Sequence, residues 1–190
     1  SVTDVYLVRH GRAAAGWDDD PDPDLDEVGF AQAEQMAATF APLGPLPLVT
    51  SPLLRCRRTA EALERSWSRS SGARVIAEVE PIVAEIPSPE GVAMGQRVPW
   101  LRRAIEGTWT ELGPRYSDYR DQIVDWVASR PNDTVVVSHF VAINTVIGAC
   151  LGDDRVVVRR LDNCSITQVR LVDGELRLIE AGGEADTLIR

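Results

Sequence analysis

Lysine is missing from the chain: all 20 cationic side chains among its 190 residues are arginines, set against 29 aspartates and glutamates for a formal net charge of −9. That balance argues against a general nucleic-acid or anionic-membrane binder, since phosphate-rich partners call for a basic face. Histidine is nearly missing as well, with two copies. Cys56, Cys150 and Cys164 are odd in number and far apart, without the C-x-x-C pair of zinc or redox sites, and read as small buried thiols. No apolar run approaches the roughly 18 to 20 residues that span a bilayer, and the first residues lack the basic and apolar regions of a signal peptide. The expectation is a cytoplasmic protein with neither nucleic-acid nor membrane partners. One domain over residues 1–190 is expected, its 44% hydrophobic content sufficient for a sizeable core. Nothing in the sequence sets an oligomeric state.

What is present alternates between strand and helix signals. DVYLVR (4–9) reads as a short strand and EVGFAQAEQMAATF (27–40) as a helix with apolar residues at helical spacing. After the Gly/Pro-rich APLGPLP, Leu48 and Val49 begin a strand, and TSPLL offers a helix start with Ser51 as cap and Pro52 in the first turn. A short strand near 74–79, an irregular Pro-rich stretch near 87–99 and helical material over about 100–129 follow. TVVVS (134–138) is β-branched throughout, as in a strand buried on both faces, with a helix over 141–151 behind it. SITQVRLVDGELRLIEA alternates about Asp173-Gly174, the strongest hairpin signal in the chain. This order predicts a three-layer α/β/α fold with a mostly parallel central sheet, an antiparallel edge hairpin near the C-terminus and a small helical cap insertion at about 85–129.

Both histidines follow such strands: His10 in VYLVRHGRA and His139 in TVVVSHFVAIN. In open α/β sheets, ligands collect outside the carboxyl ends of the strands. If the two strands are neighbours, the imidazoles face one another across one pocket. Either histidine alone reads as readily as a satisfied strand-end residue, but the pair, one directly after an arginine, points to shared chemistry. Imidazole serves as nucleophile or base, and nearby arginines stabilise an anionic substrate.

Arg9-His10-Gly11 after an apolar strand, LDEVGFAQAE (25–34), SPLLRCRRTAEAL (51–63), the late strand ending in His139 and DNCSITQVRL (162–171) together resemble, in order, the histidine phosphatase superfamily, also called phosphoglycerate mutase-like. The resemblance covers most of the chain and is weakest in the middle. It implies that His10 is the nucleophile that becomes a phosphohistidine, that Arg9 and Arg55 bind phosphate, and that His139 contacts the transferring phosphoryl group. No metal or other cofactor is implied. The proton for the leaving oxygen comes in this family from an acid between the second helix and the late strand. Glu85 best fits that place, with Glu90 or Asp18 as substitutes. The implied activity is a metal-independent phosphomonoesterase acting on a small phosphorylated substrate. The alternatives are mutase-type phosphotransfer and a non-catalytic phosphate-binding module on the same fold.

Two departures from the family pattern stand out. Arg12 and Ala13 replace an acidic or amide residue followed by a hydroxyl residue, and Phe140 replaces the glycine that commonly follows the second histidine. Other features read blandly. Asp18, Asp20 and Asp22 have the opening spacing of a calcium loop, but Pro23 and Gly29 stand where that loop needs Gly and a bidentate Glu. Arg57 and Arg58 read as surface residues beside Arg55. Trp100, Trp109, Tyr116, Tyr119 and Trp126 either pack helices onto the sheet or, with Trp17, line a cap over the phosphate site.

Overall fold

The computed structural model describes residues 1–16 and 19–185. Its centre is a six-stranded sheet of β1 (Val2–Arg9), β2 (Leu48–Thr50), β3 (Glu78–Val79), β4 (Thr134–Ser138), β5 (Ile166–Val172) and β6 (Glu175–Glu180), in the order β3-β2-β4-β1-β5-β6. The first four strands of that order pair in parallel, while β5 runs antiparallel to β1 and β6 antiparallel to β5. The expected hairpin turns at Asp173 and Gly174, both at positive φ (51° and 83°), which a tight two-residue turn matching strand twist requires.

Alternation along the inner strands explains the layers. Val5 and Leu7 of β1 and Val136 of β4 pack in one core with α5 (Pro114–Ala128) and α6 (Phe140–Leu151). Val8, Val135 and Val137 pack on the opposite face with α1 (Glu27–Phe40) and α2 (Leu54–Ser71). Every residue of β4 is therefore buried, as its β-branched run implies.

The segment before α5 forms a short 3-10 turn (Pro81–Val83), α3 (Met94–Ile105) and α4 (Trp109–Leu112). α3 begins at Met94, inside the stretch expected to be irregular, and carries Pro99 within it. α2 begins at Leu54 and not at Ser51-Pro52, and its cap residue Leu53 offers no side-chain hydrogen bond. The predicted strand at 74–79 shrinks to two residues at the sheet edge.

Candidate active site

β1 and β4 are neighbours, with Arg9 opposite Ser138, so the residues that follow them emerge side by side. The His10 and His139 rings meet edge to face with centroids 5.4 Å apart. Arg55, in the first turn of α2, reaches between them: its Nε donates to His10 Nε2 (3.2 Å) and its Nη2 to His139 Nδ1 (3.3 Å). A guanidinium has no acceptor, so both nitrogens carry lone pairs. The tautomers follow from the remaining partners. His10 Nδ1 donates to the Gly11 carbonyl (2.7 Å), and His139 Nε2 donates to Ser51 Oγ (2.7 Å).

Burial, with Arg55 and Arg9 nearby, holds the His10 pKa well below the ordinary imidazole range, and burial with Arg55 does the same for His139. Both rings are therefore neutral at pH 7. Arg9 is 2% exposed and burial lowers its pKa to about 10, opposed by Glu85 and Asp162, so it stays charged. Its Nη1 donates to the Leu161 carbonyl (2.8 Å), and its guanidinium carbon lies 5.0 Å from the centroid of the Phe140 ring. The aromatic residue standing in a glycine position thus packs against the phosphate-binding candidate Arg9.

Glu85 borders the same pocket. The Ser138 hydroxyl donates to the Val83 carbonyl (2.7 Å) and the Tyr119 hydroxyl to the Ala84 carbonyl (2.8 Å), which fixes the segment on either side. The Glu85 carboxylate then accepts from the amides of Val141 (3.1 Å) and Ala142 (3.2 Å) in the first turn of α6, as well as from Ile86 (3.0 Å). His139, the cap residue of α6, supplies no side-chain acceptor, so Glu85 caps that helix from outside. Burial raises the Glu85 pKa, against the pull of these amides and of Arg55. Asp22 plays the same part for α2, its Oδ1 accepting from Leu54 N (2.8 Å).

The inner pocket, about 20 Å³, is lined by Arg9, His10, Arg55, Glu85, Phe140 and Leu101, among others. It shares Pro23, Arg55 and Glu85 with an outer cavity of about 260 Å³. His139 is fully buried behind Arg55, with its two nitrogens engaged by Ser51 and Arg55. Glu90 is exposed and lines neither cavity. Asp18 and Trp17 lie outside the described residues. Trp109, Tyr116 and Trp126 are core residues, Trp100 packs on Tyr116, and none of the five aromatics borders the two cavities. Arg12 turns away to pair with Asp26, the N-cap of α1, while Ala13 lines the pocket without a hydroxyl. Arg57 is exposed and Arg58 pairs with Glu61 and Asp24.

Several residues of the site carried no site role in the sequence. Ser51 orients His139 and does not cap α2; its one bond to that helix start, from Leu53 N, is long at 3.4 Å. Thr59 Oγ1 accepts from Gly11 N (3.0 Å), and Asn163 Nδ2 donates to the His10 carbonyl (3.2 Å). All three lie in quoted motif segments, so their position was the available signal. Gly11 and Gly29 explain each other: a Cβ on Gly11 would lie 2.6 Å from the Gly29 oxygen, and one on Gly29 would lie 2.2 Å from the Arg12 oxygen. Only bare backbones let the chain after His10 cross α1 this closely.

The model of the histidine phosphatase superfamily (branch 1) matches residues 5–182. The chain belongs to this superfamily. A curated relative from Klebsiella pneumoniae (strain 342), "Probable phosphoglycerate mutase GpmB", is 31% identical over 190 residues, covering 87% of this chain and 83% of its own. Among solved structures, Bacillus stearothermophilus YhfR superposes with a TM-score of 0.75 at 20% identity, covering 96% of this chain and 98% of its own. A mycobacterial glucosyl-3-phosphoglycerate phosphatase in complex with VO3 superposes at 0.68 and 21% identity, over 96% of this chain and all of its own. These superpositions show a shared fold over 96% of this chain. Superfamily members are phosphatases or mutases, which makes this chain an enzyme of that group. No helix among the described residues is long and apolar enough to cross a membrane.

Proposed function

We propose that the protein is a metal-independent phosphomonoesterase that hydrolyses a small phosphorylated metabolite through a phosphohistidine on His10. The observation that carries the reading is the state of His10 Nε2: its lone pair faces Arg55 while Nδ1–H is tied to a carbonyl. A neutral imidazole fixed in this tautomer is a ready nucleophile, and its depressed pKa keeps it so at pH 7.

In the first step Nε2 attacks phosphorus, the P–N bond forming as the bond to the alcohol oxygen breaks in line. Arg9 and Arg55 hold the phosphoryl oxygens, and Glu85 gives its proton to the departing oxygen. The Glu85 carboxylate then takes a proton from water, which attacks phosphorus, releases inorganic phosphate and restores His10. His139, the phosphoryl contact of the family resemblance, has both nitrogens engaged by Ser51 and Arg55 and acts on the phosphoryl group through the Arg55 guanidinium it orients. Two guanidiniums beside the nucleophile supply the fixed positive charge that other phosphatases draw from divalent ions.

A panel of phosphorylated metabolites assayed with and without EDTA tests the reading. Activity should survive chelation, phosphate that is acid-labile should be trapped on the protein during turnover, and His10→Ala should abolish both. Near wild-type hydrolysis by His10→Ala would overturn the mechanism. The curated relatives named as phosphoglycerate mutases favour a second reading, phosphoryl transfer between hydroxyls. It predicts isomerised phosphoester in place of free phosphate as the main product.

A further inference from the structure

Ser138 touches both the nucleophile and the segment that carries the candidate acid. Its carbonyl accepts from the His10 amide (3.1 Å), and its hydroxyl donates to the Val83 carbonyl (2.7 Å), two residues before Glu85. The residue is 2% exposed and closes β4 opposite Arg9. Tyr119, on α5, donates its hydroxyl to the next carbonyl, that of Ala84 (2.8 Å), and its ring packs against Trp109 with centroids 6.1 Å apart. Two consecutive carbonyls ahead of Glu85 are thus held by hydroxyls from two different elements, a strand end and a helix. Residues 84–93 form no helix or strand, and Pro87 and Pro89 bring no amide of their own, so these side-chain bonds carry much of the fixing of that segment.

The carboxyl group is held unevenly. The amides of Ile86 (3.0 Å), Val141 (3.1 Å) and Ala142 (3.2 Å) converge on Oε1, whereas Oε2 has one longer bond, from Val141 (3.3 Å). An oxygen that already accepts three N–H groups is a poor place for a proton, and the transferable proton belongs on Oε2. Glutamate has a long, freely rotating stem, so which oxygen meets the amides depends on where its backbone is anchored. Proton transfer to a departing oxygen demands hydrogen-bond reach to it, and a misplacement of about 1 Å costs on the order of 10²-fold in rate.

We propose that Ser138 and Tyr119 are positioning residues for this proton transfer: through the Val83 and Ala84 carbonyls their hydroxyls hold Glu85 with Oε1 on the α6 amides and Oε2 free to serve the leaving group. As the bond from His10 Nε2 to phosphorus forms and the bond to the alcohol oxygen breaks, the Oε2 proton passes to that oxygen and the carboxylate remains on the amides. Ser138 also fixes the spacing between nucleophile and acid, since one residue bonds the backbone on both sides. The inference rests on the phosphomonoesterase reading with Glu85 as its acid and deepens it by naming what holds the acid.

The test is kcat/KM on glycerol 3-phosphate, whose alkoxide needs a proton, and on p-nitrophenyl phosphate, whose phenolate does not. Ser138→Ala and the near-isosteric Tyr119→Phe should each lose about tenfold or more on glycerol 3-phosphate and less than about twofold on p-nitrophenyl phosphate. In a Glu85→Gln background the same replacements should cost almost nothing further on glycerol 3-phosphate, because the acid they position is gone. Ser138→Ala changes no ionisable group and keeps Arg55 and Arg9, the cations facing Glu85; burial is what raises the Glu85 pKa, so loosening the segment should move the alkaline limb on glycerol 3-phosphate to lower pH. Equal losses on the two esters in both hydroxyl variants, or a loss that persists undiminished in the Glu85→Gln background, overturn the proposal. A leaving-group-dependent loss in Glu85→Gln with none in the hydroxyl variants sinks the positioning role alone, whereas equal losses on both esters in Glu85→Gln sink the acid reading and the positioning role with it.

Discussion

Replacing Glu85 separates two jobs that one carboxyl group does. The side chain accepts from Val141 N and Ala142 N at the start of α6 and also borders the pocket as the candidate proton donor. Glu85→Gln keeps an amide oxygen for the helix amides and removes the acid. Glu85→Ala removes both. Losing a helix cap costs about 0.5–2 kcal/mol, and about 2–4 °C of Tm accompanies each kcal/mol in a chain of this size. The alanine variant should therefore melt roughly 1–8 °C below the wild type and the glutamine variant closer to it. A general acid contributes about 10²–10⁴ in rate when the leaving alkoxide needs a proton, and little when it is p-nitrophenolate. The assay is kcat/KM for each variant on an alkyl phosphate and on p-nitrophenyl phosphate, with Tm measured on the same samples. Burial raises the Glu85 pKa, so the wild type should keep its alkaline limb on the alkyl ester above the ordinary carboxylate range, and Glu85→Gln should lack that limb. A similar loss on both esters in Glu85→Gln would refute proton donation and leave Glu85 a structural cap; no loss on either would remove it from the chemistry.

Stability should also fall in acid for a defined reason. His10 and His139 are held neutral in the fold, below the roughly 6.5 of an unfolded imidazole, so below that pH the unfolded chain binds more protons than the folded one. Their contribution is intact above about pH 6.5 and declines by up to about 1.4 kcal/mol per pH unit for each ring as pH drops further. Urea denaturation across pH 7.5 to 5.5 should show that slope, reduced in His139→Asn; an identical slope in the variant contradicts the assignment. Phe140→Leu retains apolar volume but removes the ring that packs on Arg9, a contact worth about 0.5–2 kcal/mol. Inorganic phosphate should then bind roughly two- to thirtyfold more weakly by calorimetry, and unchanged affinity would mean that the ring does not position Arg9.

Much of this was legible because the site is built where strands end. A β-branched run buried on both faces announces β4, and the apolar run before Arg9 announces β1, so His10 and His139 could each be placed at the carboxyl end of a strand from the sequence alone. Their adjacency needed the strand order, which a sequence holds only implicitly: β4 is inserted between β1 and β2 by a crossover some 84 residues later than β2. Ser51 misled because Ser-Pro at a helix start is a local capping signal, whereas its hydroxyl is claimed by an imidazole 88 residues away. α3 was missed at its start because Pro99, Gly95 and the neighbouring polar residues read as loop, while the apolar partners of Leu101 come from the rest of the fold.

The two helices that frame the phosphate pocket are capped by borrowed side chains: Asp22 serves α2, which carries Arg55, and Glu85 serves α6, which follows His139. Each cap sits on a connecting segment that also borders the outer cavity or lies beside residues that do. Any excursion that swings those segments outward would therefore bare the amides of Leu54, Val141 and Ala142, and their deuterium uptake becomes a clock for opening of the pocket. An oxyanion that draws Arg55 and Glu85 together should slow all three amides in concert, while the amides in the middle of α2 and α6, bonded within their own helices, would exchange as before.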